Sequence, residues 1–182
     1  MSADLRALRD QPFELLEKLE ERLRAARIDY AAGQQEFWVG LGFRMGDEWL
    51  VAPKEDVREV IVPPPLTRVP RTRPWFSGLA NVRGNLLPVV DLQQLIGVGT
   101  HTAGDRGRVL VLNSDDVPVG FIVDEVAGYR QFVPPDQKHE HAHNAGPIEP
   151  FLLGAFERDG RVWRAFSLHK VAQSDAFKLA GY

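Results

Sequence analysis

Apolar residues at every second position mark several short segments of this chain, and turn residues separate these segments. The first segment reads FWVGLGF at 37–43, a turn-forming MGDE follows at 45–48, and WLVA at 49–52 resumes the apolar pattern. Successive side chains of a β-strand point to opposite faces, so this spacing predicts two half-buried strands joined as a hairpin. The predicted inward face of the first strand consists of Phe37, Val39, Leu41 and Phe43. Many short strands with closely spaced turns indicate small β-barrels or a β-sandwich.

The same hairpin pattern occurs twice, at 39–52 and at 109–123, and a third hairpin is predicted at 151–166. Each of the first two copies is followed by an acidic residue and a valine, as Asp56-Val57 and as Asp124-Glu125-Val126. A duplicated hairpin within one chain suggests two similar half-barrels that share a core.

Residues 1–35 depart from the strand pattern. Between Pro12 and Gly33 the apolar residues recur at alternating spacings of three and four, which predicts an amphipathic helix. This helix could pack on the body of the protein or dock on another chain. A second, short helix is predicted to begin at Ser167. The predicted organisation is a helical extension at 1–35, a β domain at 36–176 and a tail at 177–182.

Charge and composition narrow the function classes. The chain has 22 basic and 25 acidic residues and a net charge of −3, which opposes a nucleic-acid partner. It has no cysteine, so it forms no disulfide and no cysteine zinc site. No apolar run approaches the ~18 residues of a membrane-spanning helix, and the first residues lack an apolar signal-peptide core. The sequence therefore predicts a cytoplasmic protein without direct membrane insertion.

Two groups of residues are candidates for chemistry. HEHAH at 139–143 would place its histidines on one face of an extended strand, where they could bind zinc or nickel. Prolines and a glycine flank this segment, so we interpret it as a loop and assign no catalytic residue, metal or cofactor. Asp91 and Asp124 could form a carboxylate pair, but each ends an apolar strand, where aspartate commonly caps or closes a turn. A metal- or small-molecule-binding β-barrel enzyme is the alternative function.

The charges are distributed unevenly along the chain. No acidic residue lies between Glu59 and Asp91, whereas Arg68, Arg71, Arg73 and Arg83 all lie there, together with Trp75 and Phe76. Arginine beside exposed aromatic residues is typical of a protein–protein interface. The other interpretation is a solvated arginine loop that Trp75 pins to the body of the protein.

GLANVRGNLLPVVDL at 78–92 resembles the signature segment of CheW-like chemotaxis adaptors. In that family a glycine, an Asn-Leu-Arg-Gly turn and an apolar strand ending in Asp-Leu follow one another in this order. The segments at 52–70 and at 119–126 are similar to further parts of the same family. The resemblance covers roughly residues 36 to 173, which is nearly the whole predicted β region.

The resemblance implies a mainly β fold of two intertwined SH3-like β-barrels, here with an N-terminal amphipathic helix and a short C-terminal helix. It also implies a non-enzymatic adaptor that links the cytoplasmic tip of a methyl-accepting chemoreceptor to the regulatory domain of a CheA-type histidine kinase. The groove between the barrels would receive the receptor tip, and another edge would bind the kinase. Carried over position by position, the receptor-binding candidates are Val57, Glu59, Gly78, Asn81, Arg83, Gly84 and Gly120.

Three departures from the family pattern are visible. Val82 replaces the usual leucine of the turn, and Ser167 stands where the last strand of the family often ends in aspartate. The predicted helix before residue 36 exceeds a minimal adaptor. Members with such an extension resemble the PilI-type branch, which is associated with type IV pili and twitching motility, and we favour this branch over flagellar chemotaxis.

Overall fold

A computed structural model describes residues 37–101, 104, 106–138 and 145–179. The predicted helical extension at 1–35 and the histidine-rich segment at 139–143 lie outside these residues. The predicted boundary between the extension and the β domain therefore stays a prediction.

The described residues form ten strands and three short helices. The first five strands are β1 (Trp38–Met45), β2 (Glu48–Pro53), β3 (Val57–Ile61), β4 (Phe76–Val82) and β5 (Asn85–Asp91). The other five are β6 (Arg108–Leu112), β7 (Gly120–Val123), β8 (Glu125–Phe132), β9 (Leu152–Arg158) and β10 (Arg161–Phe166). The helices are α1 (Leu92–Ile96), α2 (Leu168–Gln173) and α3 (Asp175–Lys178), and short 3-10 helices span Lys54–Asp56, Pro134–Asp136 and Gly146–Phe151.

The strands build two five-stranded sheets, each of which we call a barrel. Barrel A has the strand order β8-β1-β2-β10-β9, and barrel B has the order β3-β6-β7-β5-β4. The chain crosses from barrel A to barrel B between β2 and β3, and it returns between β7 and β8. Strand β8 then pairs with β1, and β10 pairs in parallel with β2. This exchange of strands confirms the prediction of two intertwined SH3-like barrels, and β1–β2 and β6–β7 are the two predicted copies of the hairpin.

One hydrophobic cluster joins the two barrels. Its buried members include Leu41, Phe43, Leu50 and Phe166 from barrel A and Val90, Leu110, Phe121 and Val123 from barrel B. Side chains of α1 and α2 complete the cluster. Full burial of each large apolar side chain contributes about 2 kcal/mol, so the shared core stabilises both barrels together. The shared core that the duplicated hairpin predicted is therefore confirmed.

The predicted inward face of β1 is wrong at its first residue. Leu41 and Phe43 are buried, and Val39 is half-buried, but Phe37 is 58% exposed. The reason is that β1 begins only at Trp38, so Phe37 lies outside the pleat that would turn it inward. The opposite face of the strand is also apolar at this end, since Trp38 stacks on Phe156 with ring centroids 5.1 Å apart.

Close packing explains the glycines of β1. A Cβ atom on Gly42 would lie 2.8 Å from Cζ3 of Trp163, and one on Gly40 would lie 2.5 Å from Cγ2 of Val51. The pairing of β1 with β8 shifts register between Gly42 and Phe43, which is a β-bulge. Gly42 therefore lets β1 pack closely on Trp163, and Gly40 lets it pack closely on Val51.

The C-terminal helix is two helices rather than one. Ser174 adopts an extended conformation that ends α2, and its hydroxyl accepts a hydrogen bond from the backbone N–H of Phe177 and so caps α3. The ring of Phe177 stacks on Trp75, with centroids 6.0 Å apart. Trp75 is consequently buried and pins its loop to the body, so at this position the second of the two interpretations of the arginine-rich segment is confirmed and an exposed aromatic residue is not found.

Candidate functional site

The turn between β4 and β5 has a geometry that its sequence dictates. Only Arg83 and Gly84 separate the two strands, and both have positive φ angles, 52° and 87°. A two-residue hairpin turn of this kind requires φ above zero at both positions, which glycine adopts freely and arginine adopts at a small cost. The side-chain oxygen of Asn81 accepts a hydrogen bond of 2.9 Å from the backbone N–H of Gly84 and holds the turn. The turn therefore projects the Arg83 side chain outward.

Arg83 forms an ion pair with Glu59, with its Nη2 2.8 Å from Oε2. Glu59 lies on β3 and Arg83 lies in the turn that directly follows β4, and β3 and β4 are the two edge strands of barrel B. The Arg83 side chain is 80% exposed and that of Glu59 is 23% exposed. Because water screens so exposed a cation, the pair adds little to stability, and its main effect is to hold the guanidinium at one place on the surface.

Apolar side chains accompany this cation. Leu86 lies on the same hairpin, opposite Asn81 in the strand register, and is 69% exposed. Val60 and Val62, one and three residues after Glu59, are also exposed, but Val60 lies on the opposite face of β3 from Glu59 and is not counted with this cation. We call the set of Glu59, Asn81, Arg83, Gly84 and Leu86 the Arg83 surface. An exposed arginine beside exposed aliphatic groups is the composition of a protein-binding surface.

The structure separates the predicted receptor-binding residues into two groups. Glu59, Asn81, Arg83 and Gly84 lie together on the Arg83 surface. Val57, Gly78 and Gly120 are buried in barrel B. Val57 packs in the shared core, a Cβ on Gly78 would lie 2.6 Å from the carbonyl oxygen of Thr67, and one on Gly120 would lie 2.5 Å from Cγ1 of Val109. Packing therefore accounts for these three residue types, and a receptor-facing role for the seven positions stays a prediction.

Sequence reasoning missed a polar junction at Asp124, where the chain returns from barrel B to barrel A. The Asp124 carboxylate accepts hydrogen bonds from the backbone N–H of Gly46 at 2.6 Å and from Nε2 of Gln93 at 2.9 Å. Nδ1 of His101 lies 2.7 Å away, and Nη1 of Arg44 lies 3.8 Å away. The aspartate that follows each hairpin copy was the available signal, but its partners come from three distant segments.

His101 links this junction to a second carboxylate. Its backbone N–H donates to Oδ2 of Asp91 at 2.9 Å, while Oδ1 of Asp91 accepts from the backbone N–H of Gln94 and caps α1. The predicted capping role of Asp91 is therefore confirmed. The Asp91 and Asp124 carboxylates are tied to one histidine by its backbone and its side chain, which suits a structural junction.

The other crossing, from barrel A to barrel B, holds Asp56. Its Oδ2 accepts a hydrogen bond of 3.2 Å from the backbone N–H of Leu168 and lies 3.5 Å from the Ser167 hydroxyl that donates to it. Burial raises the pKa of the Asp56 carboxyl above its usual value, against the opposing effects of His169 and of these hydrogen bonds. Nε2 of His169 lies 3.9 Å from Oδ1 of Asp56.

Two properties of the described residues concern metal binding and membrane crossing. No group of three or more histidine, cysteine, aspartate or glutamate side chains within them has an arrangement that could hold a metal ion. In the same part of the chain, no helix has the length and apolar character needed to cross a membrane.

Comparisons with known proteins agree with the architecture. The model of the CheW-like domain matches residues 39–176. Over 168 residues the chain is 38% identical to Protein PilI of Pseudomonas aeruginosa, and this alignment covers 91% of the chain and 94% of PilI. The chain is also 28% identical over 113 residues to the chemotaxis protein CheW of Helicobacter pylori, which covers 62% of the chain and 68% of that protein.

A solved structure shows the same fold. The crystal structure of the scaffolding protein TtCheW from Thermoanaerobacter tengcongensis superimposes with a TM-score of 0.65 at 21% identity, covering 79% of this chain and 93% of TtCheW. The domain match spans both barrels, and the similarity to PilI extends along almost the whole chain. The chain therefore belongs to the CheW-like family, in its PilI-type branch.

Proposed function

We propose that this protein is a non-enzymatic adaptor that couples chemoreceptors to a CheA-type histidine kinase. The similarity to PilI supports a place in the control of type IV pilus twitching motility. In this role the protein works in the cytoplasm and is recruited to membrane-associated receptor arrays by its partners, without a cofactor, a nucleic-acid partner or direct membrane insertion.

The observation that carries the proposal is the Arg83 surface. The tip of a receptor hairpin presents helix-end carbonyl groups and carboxylates beside apolar side chains. The guanidinium of Arg83 offers a planar set of donors suited to such oxygens, and Leu86 offers exposed apolar area next to it. Glu59 fixes the cation in place before binding, which lowers the ordering cost of forming the complex.

The buried members of the predicted receptor-binding set, Val57, Gly78 and Gly120, contribute to the packing of barrel B, which carries the Arg83 surface. Gly78 and Gly120 allow close packing of β4 and β7 within barrel B, and Val57 anchors β3 in the shared core. The kinase regulatory domain binds another edge of the adaptor. The alternative, a metal- or small-molecule-binding enzyme, gains no support from the described residues, because the carboxylates of Asp56, Asp91 and Asp124 bind backbone and side-chain donors that join elements of the fold.

The experiment is a binding titration with a purified cytoplasmic receptor fragment and, separately, with the kinase regulatory domain. Arg83→Glu reverses the charge beside Glu59, and Arg83→Asn removes the charge while keeping a residue type that tolerates positive φ. We expect receptor affinity to fall by about tenfold or more in both variants and kinase affinity to stay within about twofold.

Arg58→Glu is the matched control. Arg58 lies on β3, next to Glu59 in the sequence, is also exposed, and pairs with Asp115 at 2.7 Å. Its reversal should leave receptor binding nearly unchanged. Equal losses of receptor and kinase binding in the Arg83 variants, together with a lowered melting temperature, would show that Arg83 is a structural residue and not a recognition residue.

A further inference from the structure

Barrel A carries a basic cleft on the side where its two edge strands approach each other. The cleft has a volume of about 530 Å³ and lies between β8 and the β9–β10 hairpin. Its lining residues are Tyr129, Arg130, Gln131, Arg158, Asp159, Arg161 and Trp163. Three arginines against one aspartate give this cleft a positive charge on a protein whose net charge is −3.

Aromatic rings hold two of these arginines in place. The guanidinium carbon of Arg161 lies 4.4 Å from the ring centroid of Trp49 and 5.6 Å from that of Trp163. The guanidinium carbon of Arg130 also lies 5.6 Å from the Trp163 centroid. Cation–π contacts of this kind orient the planar groups. One N–H of Arg130 donates to the carbonyl oxygen of Tyr129 at 3.3 Å, and the other donors of the two guanidinium groups can meet a ligand. Trp163 itself is buried beneath them.

The arginines of the cleft differ in how they are paired. Arg158 donates to the carbonyl oxygen of Gln131 and lies 4.0 Å from the carboxylates of Asp136 and Asp159. In contrast, neither Arg130 nor Arg161 has a carboxylate oxygen within 4.0 Å among the described residues. The excess positive charge of the cleft therefore resides on Arg130 and Arg161.

We propose that this cleft binds an extended acidic segment of a partner protein. The guanidinium groups of Arg130 and Arg161 are oriented and have no acidic partner in the part of the chain that the structure describes, so they can bind the carboxylates of such a segment. Because both guanidinium groups contact the Trp163 ring, a few consecutive residues of the segment can reach both. A nucleic-acid partner would require a larger basic surface than these residues provide. The net charge of the chain, −3, also opposes binding of a polyanion. The Arg83 surface lies on barrel B, so the two surfaces can be occupied independently.

The test is a nuclear magnetic resonance titration of the full chain with a peptide of alternating glutamate and serine. A peptide of alternating glutamine and serine is the uncharged control, and a single-stranded DNA oligonucleotide is the third ligand. The indole N–H signals of Trp49 and Trp163 report on the cleft, and that of Trp75, which packs against Phe177, reports on a distant site. We expect saturable shifts of Trp49 and Trp163 with the acidic peptide, small shifts of Trp75, and weakening as salt is added.

The double variant Arg130→Gln, Arg161→Gln should weaken binding of the acidic peptide by about tenfold, which is the order expected for two partly exposed charge contacts. Lysine at both positions should retain part of the affinity, because it keeps the charge but loses the planar stacking. Arg58→Gln on barrel B, the matched control, should have no effect.

Three results would overturn the proposal. The first is the absence of saturable binding of the acidic peptide by the unaltered protein. The second is equal binding of the uncharged peptide. The third is tighter binding of the oligonucleotide that also depends on Arg130 and Arg161, which would assign the cleft to nucleic acid. Thermal melting of each variant separates a loss of binding from a loss of folding.

Discussion

The two places where the chain crosses between its barrels are built on the same plan with different chemistry. Each crossing follows one copy of the duplicated hairpin, and each places an aspartate against a short helix. That helix directly follows a strand of the barrel that the chain is leaving, β10 for α2 and β5 for α1. Asp56 contacts the start of α2, and Asp124 contacts α1 through Gln93. The aspartate is common to both crossings, whereas its partners are not.

The partners determine how each carboxylate is stabilised. Asp124 has a hydrogen-bonded histidine and an arginine within 3.8 Å, so its charge is matched by nearby donors and a cation. Asp56 depends on a backbone N–H and a hydroxyl, and burial raises its pKa. One crossing is thus an ionic junction, and the other holds a carboxyl group whose charged form is disfavoured by its surroundings.

The comparison explains the serine at position 167. The helix at the Asp124 crossing is capped by Asp91, and His101 lies between the two carboxylates. The helix at the Asp56 crossing is capped by Ser167, whose hydroxyl lies only 3.5 Å from Asp56. An aspartate cap there would place two carboxylates side by side without a histidine between them, so a neutral cap is the physically favourable choice.

The largest effect is expected from Asp124→Ala. This change leaves the N–H of Gly46 and the amide of Gln93 without their common acceptor and removes the carboxylate beside His101 and Arg44, so we expect a loss of about 3 kcal/mol in the free energy of unfolding. Urea denaturation measures it. A loss below about 0.5 kcal/mol, the size typical of a surface change, would show that the ionic junction is unimportant for stability.

A smaller effect is expected from Ser167→Asp, which sets a second carboxylate beside Asp56. We predict a loss of about 1–3 kcal/mol at neutral pH, which should shrink in acid as the carboxyl groups become protonated. Ser174→Asp is the matched control, because Ser174 caps α3 in the same way. It should change stability by no more than about 0.5 kcal/mol, since serine and aspartate cap helices about equally well.

Combining Ser167→Asp with Asp56→Asn sharpens this test. If repulsion between the two carboxylates causes the loss, neutralising Asp56 should restore most of the stability. Additive effects of the two changes would instead mean that the aspartate at position 167 acts through size or desolvation alone.

The smallest effect is expected from Asp56→Asn on its own, at about 1 kcal/mol or less near neutral pH, because an asparagine oxygen still accepts from the N–H of Leu168. A raised pKa means that the folded state binds the proton more tightly than the unfolded state, so the unaltered protein loses stability as pH rises from the usual pKa to the raised one. Asparagine removes this loss. The stability of the variant relative to the unaltered protein should therefore rise as the pH increases above the usual aspartate pKa, and a fall would contradict the direction of the shift.

The parts of the fold that were predictable from sequence are those encoded by neighbouring residues. The alternation of residues 37–52 specifies β1 and β2, and the Asn81 to Gly84 stretch specifies a turn that projects Arg83. The predicted ends of a strand are wrong where the local sequence fits both a strand residue and a residue outside the strand. Phe37 continues the apolar alternation, but β1 starts one residue later and leaves it exposed.

The unpredicted parts depend on residues far apart in the chain. Trp75 is buried because Phe177 stacks on it, and nothing near Trp75 in the sequence indicates that contact. The pairing of Arg83 with Glu59 across the edges of barrel B depends on the order of its five strands, which no local pattern encodes. The resemblance to CheW-like adaptors placed both residues in one predicted set, but not in contact.

The most direct test of the proposed adaptor role is a three-component retention assay. A receptor cytoplasmic fragment is immobilised, and the retained kinase is measured with no adaptor, with the unaltered chain, and with the Arg83→Asn and Arg58→Glu variants. We expect little kinase to be retained alone, strong retention with the unaltered chain and with Arg58→Glu, and retention reduced by about tenfold with Arg83→Asn. Retention of the kinase that does not depend on the added chain, or that is unaffected by Arg83→Asn, would contradict coupling through the Arg83 surface.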